Sequence, residues 1–429
     1  MPKPNIFCNT PWYELHIYWD GSLGICCQEA HKLYDDNSYN IATTTIAEWF
    51  NSDPVRHFRQ GVLGERPVSA CARCYQEESE GGNSRRIRSN QKSVIFQQAF
   101  VDSFEQSPGR RHFDESGTTG THPIDIHVDL GNYCNLACKM CNAQASSTIA
   151  SQQVKWGIES SRQYLGSDWT QNEQVWNSFL TQLIRIPKLN NIHFMGGETL
   201  LTRRFENLVD HMIEHDRLDV CFSFVTNGTT FKPDLMNKLK KFRRVGIEVS
   251  IETVDAHNVY QRQGTDNQLV MANLDRYLDM CNGSNITLTA RPAVSALTIG
   301  YFSGLLEYCL NKKLIVKSLL VNTPRFLDAV ILPDAVKQQY LEHYQTLVDR
   351  LNSVQVPRDY NASDPNNHHM IVKEQVQMCM NMLRQPEPAD AEQQRKLMVE
   401  HCRKWDQVYG YDARSLYPEL AEVWTQYGY

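Results

Sequence analysis

The chain has 429 residues, a formal net charge of −6 and 41% hydrophobic residues, which predicts a globular protein of more than one domain. The mildly acidic charge excludes a general attraction to nucleic acid. No run reaches the roughly 18 apolar residues of a membrane span. The N-terminal MPKPNIFCNTPW also lacks a signal-peptide pattern, so a cytoplasmic location is expected.

The N-terminal region, residues 1–78, is rich in cysteine. A hairpin is predicted at Leu15–Cys26, because Asp20-Gly21 is a tight-turn signal between apolar alternations. The cysteines of this region are Cys8, Cys26, Cys27, Cys71 and Cys74. Clustered thiols in a chain without a signal sequence favour metal binding over a disulfide framework.

The next region, residues 79–122, is polar and rich in turn residues. It is predicted to be a partly disordered linker with a short helix over 93–104.

Residues 123–330 alternate short apolar, β-branched segments with longer amphipathic ones. This pattern predicts an α/β fold with a mostly parallel sheet and right-handed crossovers. Six repeats favour an open, partial (β/α)6 barrel over a closed eight-fold one. The predicted strands are 124–130, 191–196, 221–226, 246–251, 285–290 and 314–321. Residues 331–429 predict a helical C-terminal extension.

Cys134, Cys138 and Cys141 follow the first predicted strand of the α/β region with the spacing Cys-x3-Cys-x2-Cys. Three thiolates at this spacing can hold one cubane cluster and leave its fourth iron without a protein ligand. An open coordination position is a place where a substrate or cofactor binds. On spacing alone, the alternative is a three-cysteine zinc site completed by a histidine.

This motif resembles the signature of the radical S-adenosylmethionine (SAM) superfamily, and the resemblance extends over about residues 124–325. It implies that the three cysteines ligate a [4Fe–4S] cluster whose open iron is chelated by SAM. Gly196-Gly197-Glu198, after the second strand, resembles the family's glycine-glycine-glutamate motif.

Other segments resemble parts of the family that surround SAM. Alternation along the fourth strand would direct Ser250 and Glu252 to one face. Met140 departs from the aromatic residue that many members have there, and Arg262 has a solvated side chain as its alternative. The residues assigned to SAM in this way are Met140, Gly196, Gly197, Glu198, Thr226, Asn227, Ser250, Glu252 and Arg262.

The N-terminal cysteines Cys8, Cys26, Cys71 and Cys74 resemble the ligand set of the twitch module, a shortened relative of the SPASM domain. The module precedes the radical domain here, as in N-terminal-twitch radical SAM proteins. The resemblance implies a second, auxiliary [4Fe–4S] cluster that is fully ligated and suited to electron transfer. Cys26 is favoured over Cys27 as the ligand, and a structural zinc ribbon remains the alternative.

The resemblance implies a reaction in which a flavodoxin- or ferredoxin-type donor supplies one electron. SAM is then cleaved to a 5′-deoxyadenosyl radical that abstracts hydrogen from a substrate carbon, and the auxiliary cluster supports net oxidation. A peptide or protein substrate is favoured over a sugar, nucleotide or other small molecule. A non-catalytic iron–sulfur or zinc protein is the alternative from another class. The remaining cysteines are interpreted as packing residues: Cys221, Cys281, Cys309, Cys379 and Cys402.

Overall fold

The computed structural model describes residues 6–29, 32–34, 38–64, 66–79, 84–91, 116–119, 122–166, 168–353 and 367–429. The chain forms two compact units, each built from separate stretches of sequence. The first unit comprises Met1–Tyr133, Ser160–Phe224 and Asp234–Val245, and the second comprises Cys134–Glu159, Val225–Pro233 and Gly246–Tyr429. The helix predicted over 93–104 and most of the predicted linker lie outside the described residues.

Twelve strands lie within the described residues and are numbered in chain order. They are β1 (Glu14–Ile17), β2 (Leu23–Gly24), β3 (Asp125–Asp129), β4 (Ala137–Cys138), β5 (Asn191–Met195), β6 (Cys221–Thr226), β7 (Arg244–Val249), β8 (Arg262–Gln263), β9 (Ile286–Ala290), β10 (Ala293–Val294), β11 (Ile315–Val316) and β12 (Leu319–Leu320).

The α-helices whose two ends are both described are numbered in the same way. They are α1 (Ile46–Phe50), α2 (Asp53–Leu63), α3 (Ala72–Ser79), α4 (Ser147–Lys155), α5 (Glu173–Arg185), α6 (Arg203–Glu214), α7 (Pro233–Leu239), α8 (Ala256–Gln261), α9 (Asn267–Cys281), α10 (Phe302–Lys312), α11 (Asp334–Ser353), α12 (His368–Leu383), α13 (Ala391–Tyr409), α14 (Ala413–Leu416) and α15 (Ala421–Gln426).

The sheet of the first unit has the strand order β2-β1-β3-β5-β6. The predicted hairpin is present: β1 and β2 pair antiparallel, and Gly21 has a φ of +80°, a conformation that favours glycine. β1 also pairs in parallel with β3, with His16 opposite His127, and β3, β5 and β6 continue in parallel. The N-terminal region therefore adds a strand to this sheet. The sequence did not predict this pairing, because strands distant in the chain leave no local signal of their register.

Alternation along these strands separates an apolar face from a polar one. Phe194 and Phe222 are buried on the apolar face, and the Phe194 ring lies 4.9 Å from that of Phe205 on α6. Burying an aromatic side chain of this size contributes about 1.5–3 kcal/mol to stability. The polar face carries His127 and His193, whose rings are 4.9 Å apart. The core of this unit therefore lies between the sheet and its helices.

In the second unit β7, β9 and β11 follow one another in the sheet order, and β9 and β11 are parallel. The single strand predicted over 314–321 is wrong. The segment forms β11 and β12, and β12 pairs with β10 rather than with β9. Between the two strands, the Ser318 backbone N–H donates to Gln375 Oε1 of α12 at 2.9 Å.

The end of the chain is helical, from α11 to α15. Cys379 on α12 and Cys402 on α13 are fully buried. The predicted α/β class, with parallel strands and a helical C-terminal extension, is confirmed. None of the helices in the described part of the chain combines the length and the apolar character needed to cross a membrane.

Candidate functional site

The cysteine-rich loop of the second unit carries Cys134, Cys138 and Cys141, and all three are partly accessible. Cys138 lies in β4 and faces Arg262 of β8 across a short antiparallel pair. The Cys141 backbone N–H donates to the carbonyl of Cys138 at 3.0 Å, which closes a tight turn between these two cysteines.

The first turn of α4 anchors both sides of this loop. Ser146 caps the helix, since its hydroxyl accepts from the Ile149 N–H at 3.3 Å and donates to the carbonyl of Leu136 at 2.8 Å. The Thr148 hydroxyl donates to the carbonyl of Cys134 at 2.6 Å. These hydrogen bonds hold the backbone of the loop through contacts within the protein.

The thiols of Cys134 and Cys141 lie close enough to that of Cys138 to affect its pKa. Burial raises the pKa of Cys138 above its usual value; Arg262 acts against this rise, and the neighbouring Cys141 and Cys134 add to it. Burial also raises the pKa of Cys141. The thiolate is the form that binds metal, and a bound cation would favour it at these cysteines.

Arg262 is buried, with 8% of its surface exposed, so the solvated alternative is wrong. Its guanidinium donates to both carboxylate oxygens of Glu252, the Nη2–Oε1 distance being 2.8 Å, and its Nη1 lies 3.6 Å from the Cys138 Sγ. Burial alone would lower the pKa of Arg262, but Glu252 and Cys138 raise it above its usual value. A fixed positive charge therefore adjoins the middle cysteine.

Asn227 connects the predicted Thr226-Asn227 segment to the cysteine loop. Its side-chain amide donates to Asn135 Oδ1, between Cys134 and Cys138, at 2.8 Å. The Ser250 backbone N–H donates to the carbonyl of Thr226 at 2.9 Å. The structure thus brings these predicted residues together around one loop of the second unit.

Three further residues were assigned to SAM from the sequence: Ser250, Glu252 and Met140. β7 ends at Val249, one residue before Ser250, so the alternation argument for Ser250 and Glu252 does not apply. Ser250 is half-buried and Glu252 is fully buried. Met140 is half-buried on the cysteine loop.

The glycine pair after β5 belongs to the first unit. Gly196 and Gly197 have φ values of +78° and +56°. A Cβ at Gly197 would lie 2.4 Å from the carbonyl oxygen of Tyr133, so no other residue fits there. Glu198 is buried, its backbone N–H donates to the same carbonyl at 2.7 Å, and its carboxylate accepts from the Leu200 N–H at 3.1 Å. The glycine pair therefore lets this backbone pack directly against that of Tyr133, the residue that precedes Cys134.

A cavity in the first unit is lined by Cys8, Cys26, Cys71 and Cys74, the four predicted ligands of the N-terminal site. Burial raises the pKa of Cys8 to about 11 and that of Cys71 to about 12, with the neighbouring thiols contributing. Four thiols around one cavity, two of them on the buried residues Cys8 and Cys74, match the donor set of a fully ligated cubane.

Cys27 does not line this cavity. It lies instead beside Glu14 and His127, with one potential ligand atom of each within 4.8 Å of the others. The Arg85 guanidinium donates to Glu14 and approaches His127 Nε2 at 3.3 Å. The geometry thus separates Cys27 from the four thiols of the cavity.

Lys139, between Cys138 and Cys141, is a residue that the sequence analysis missed. Its side chain is buried, and its ammonium lies 3.9 Å from the ring centroid of Tyr260 and 3.8 Å from that of Trp405. Burial lowers the pKa of Lys139 to about 7, while Cys402 and Asp406 act in the opposite direction. Its position inside the motif was the only signal in the sequence.

Comparison with known families gives two matches. Residues 128–291 match the model of the radical SAM superfamily, and residues 8–75 match an iron–sulfur cluster-binding domain, SPASM. The match over residues 8–75 is to an iron–sulfur domain, which favours a cluster over a zinc ribbon at the N-terminal cysteines.

Individual relatives are more distant. A radical SAM cyclopropyl synthase, TigE, of Paramaledivibacter caminithermalis is 26% identical over 230 residues, which are 51% of this chain and 46% of the relative. Among solved structures, anSMEcpe with bound AdoMet is 16% identical, with a TM-score of 0.38 and coverage of 53% of this chain and 62% of the other. SuiB of Streptococcus suis bound to the precursor peptide SuiA is 12% identical, with a TM-score of 0.38 and coverage of 70% and 64%. The chain thus spans less than two thirds of each of these proteins.

The chain contains a radical SAM domain and carries a SPASM-type iron–sulfur domain on the N-terminal side of it. These two domains imply [4Fe–4S] clusters and SAM as cofactors. The residues present fit these groups. Three thiols on one loop suit a cubane with one open iron position, and four thiols around one cavity suit a fully ligated cubane.

Proposed function

We propose that this radical SAM enzyme abstracts a hydrogen atom from a carbon of a peptide or protein and completes a net two-electron oxidation of that substrate. The observation that carries the proposal is the presence of two different thiol sets in one chain, three on a loop and four around a cavity. A set of three suits a cofactor that binds at an open iron, and a set of four suits electron transfer.

The chain's own residues have distinct tasks in this proposal. Cys134, Cys138 and Cys141 hold the catalytic cluster, and Cys8, Cys26, Cys71 and Cys74 hold the auxiliary one. When bound, the catalytic cluster and SAM supply a 5′-deoxyadenosyl radical, and the auxiliary cluster supplies an electron acceptor.

The SAM-binding residues act through hydrogen bonds and charge. The Gly196-Gly197-Glu198 segment is assigned to the methionyl amino group of SAM, with the Glu198 carboxylate or backbone carbonyls as hydrogen-bond acceptors. Arg262, held by Glu252, offers a cation beside Cys138 for the carboxylate of SAM. Thr226, Asn227, Ser250 and Met140 complete the set around the loop.

The preference for a peptide or protein rests on the SPASM-type domain, because relatives with this module commonly modify ribosomally made peptides. Dehydrogenation or another modification of a sugar, nucleotide or other small molecule is the second candidate. Co-expression with short peptides encoded beside the gene, followed by mass spectrometry, separates the two: a peptide that loses two hydrogens supports the first.

The enzyme reading is tested by reductive cleavage of SAM. Anaerobically reconstituted protein, dithionite and SAM are incubated together, and 5′-deoxyadenosine is measured by liquid chromatography. We expect clear product from the wild type and none from Cys138→Ala. Cys309→Ala, which changes a buried cysteine outside both sets, is the matched control and should retain product formation. Product at the Cys138→Ala level in the wild type would favour a non-catalytic iron–sulfur protein.

A further inference from the structure

The C-terminal end of α6 carries three potential metal ligands within about one turn of helix. One ligand atom each of His211, Glu214 and His215 lies within 4.8 Å of the other two. The two histidines are four residues apart, so they lie on one face of the helix, and their ring centroids are 4.2 Å apart. The three residues therefore form a compact donor set of two imidazoles and one carboxylate.

The hydrogen bond of the His215 ring leaves its second nitrogen available. Its Nδ1 lies 2.9 Å from the carbonyl oxygen of His211. Because a carbonyl only accepts, Nδ1 carries the hydrogen, and Nε2 of the neutral ring keeps its lone pair. Metal-bound histidines in proteins usually donate from their other nitrogen in this way, which fixes the orientation of the ring.

The His211 ring is suited to binding a cation. His211 is half-buried, and burial together with the neighbouring His215 lowers its pKa, whereas Glu214 acts in the opposite direction. The lower pKa favours the neutral imidazole, which is the form that binds metal. His211 Nε2 is buried and makes no hydrogen bond to any residue that the structure describes. No protein partner in the described part of the chain therefore competes for this nitrogen.

The backbone at this end of α6 also favours a cation. The last carbonyls of a helix carry a partial negative charge. The chain turns sharply after the helix, since Asp216 has a φ of +55° and the Arg217 N–H donates to the carbonyl of Met212 at 2.9 Å. The Arg217 guanidinium donates to the carbonyl of Ile184 at 2.6 Å and is not bonded to Glu214. The next basic residue along the chain is thus directed elsewhere.

A second group of potential ligands, Glu14, Cys27 and His127, differs in this respect. The Arg85 guanidinium donates to Glu14 and lies 3.3 Å from His127 Nε2, so a cation of the protein already adjoins two of its three members. Among the residues described, no such cation is bonded to the group at the end of α6.

We propose that His211, Glu214 and His215 form a surface site for one divalent cation of the zinc class. Imidazole nitrogens and carboxylate oxygens are ligands of zinc, and two histidines at this helical spacing occur in zinc sites. Three protein ligands leave a further coordination position for water or a small ligand. The site lies in the first unit and depends neither on the proposed function nor on the iron–sulfur clusters.

The test is zinc binding to the full-length, anaerobically reconstituted protein, measured by equilibrium dialysis and elemental analysis over a range of free zinc concentrations. We expect the wild type to bind one more zinc per chain than the His211→Asn/His215→Asn double variant. His215→Asn alone should weaken binding by about tenfold or more, and Glu214→Gln should weaken it as well.

His57→Asn is the matched control. His57 is also an exposed histidine on a helix, α2, and its Nδ1 lies 2.9 Å from the carbonyl of Asp53, four residues before it. Asp53 is paired with Arg56, and neither residue 53 nor residue 61 is a second histidine. Zinc binding should therefore be unchanged in this variant.

The zinc K-edge X-ray absorption spectrum of the loaded wild type identifies the ligands. Nitrogen and oxygen neighbours at about 2.0–2.2 Å support the site, whereas sulfur at about 2.3 Å would assign the zinc to cysteines and overturn the inference. Equal zinc content in the wild type and the double variant at every concentration would also overturn it. Glu214 and His215 are exposed, so their single variants keep the comparison valid if the change at the half-buried His211 disturbs folding.

Discussion

Cys26 and Cys27 are neighbours in the chain but have different surroundings. Cys26 lines the cavity with Cys8, Cys71 and Cys74, whereas Cys27 lies beside Glu14 and His127. Burial raises the pKa of both thiols, but for Cys27 the Arg85 guanidinium opposes the rise. Burial alone therefore does not distinguish the two, and the lining of the cavity does.

We predict that Cys26→Ser loses the N-terminal cluster and that Cys27→Ser retains it. A cubane holds four irons, so iron per chain should fall from about eight to about four in the first variant and stay near eight in the second. Anaerobic iron and sulfide analysis measures both. The reverse pattern would assign the ligand to Cys27.

Gly197 gives a second prediction at the scale of one residue. Alanine there requires a φ of +56° and a Cβ 2.4 Å from the Tyr133 carbonyl oxygen. We expect Gly197→Ala to lower the free energy of unfolding by about 1–3 kcal/mol and to weaken SAM binding. Denaturant titration and equilibrium dialysis with SAM measure these effects.

The control for Gly197→Ala is Gly283→Ala. Gly283 has a φ of +67° but no atom within 4 Å of an added Cβ. It should lose about 1–2 kcal/mol from strain alone and leave SAM binding unchanged. Equal SAM affinity in the two variants would argue against a role for the glycine pair in SAM binding.

At the scale of elements, α13 is the helix of the C-terminal extension that contacts the cysteine loop. Its Trp405 covers Lys139, and its His401 stacks on Trp405 with the ring centroids 5.6 Å apart. The Phe326 ring lies 4.9 Å from that of His401. The helix thus places the ionisable ring of His401 next to Trp405, which covers the buried Lys139.

Acid should destabilise the protein in part through His401. Burial, with a smaller contribution from Lys139 and Lys404, lowers the pKa of His401 to about 3. In the unfolded chain the pKa is about 6.5, so between about pH 6.5 and 3 the unfolded state binds more protons. Stability therefore falls as the pH falls through this window, by up to about 2 kcal/mol at pH 5 for this residue.

The measurement is denaturant unfolding at pH 7 and pH 5. The difference between the two pH values should be smaller in His401→Gln than in the wild type. His215→Gln, which changes an exposed histidine at the end of α6, should behave as the wild type does. An unchanged pH difference in His401→Gln would show that the His401 ring protonates without penalty in the folded state.

At the scale of the whole molecule, each compact unit contains one of the two thiol sets. The four-thiol cavity lies in the first unit and the three-thiol loop in the second. The units are interleaved along the chain, because β6 and β7 each begin in the first unit and end in the second. The two thiol sets therefore belong to different compact units, although stretches of the two units alternate along the chain.

We predict that the two sets load iron independently. A Cys134/Cys138/Cys141 triple alanine variant should keep about four irons and form no 5′-deoxyadenosine. A Cys8/Cys26/Cys71/Cys74 quadruple alanine variant should also keep about four irons, because the loop of the second unit has its own hydrogen bonds. Elemental analysis measures both, and zinc without iron in the triple variant would contradict an auxiliary iron–sulfur cluster.

Much of the fold was predictable because its signals are local. Apolar β-branched runs predicted the strands at 124–130, 191–196 and 221–226, and Asp20-Gly21 predicted the hairpin turn. The single strand predicted over 314–321 was wrong: the segment forms β11 and β12, and a side chain from α12 bonds the backbone between them, a contact that no local pattern records. The parallel pairing of β1 with β3 was missed for the same reason.

The sequence by itself determined the family, because cysteine spacing and a glycine pair are properties of consecutive residues whose chemistry is known. It also determined that there are two thiol sets. The tertiary structure alone decided which of Cys26 and Cys27 lines the cavity and that Arg262 is buried against Glu252. It also decided that Trp405, 266 residues after Lys139, covers that lysine. These are properties of burial and of contacts between distant segments, which arise only when the chain has folded.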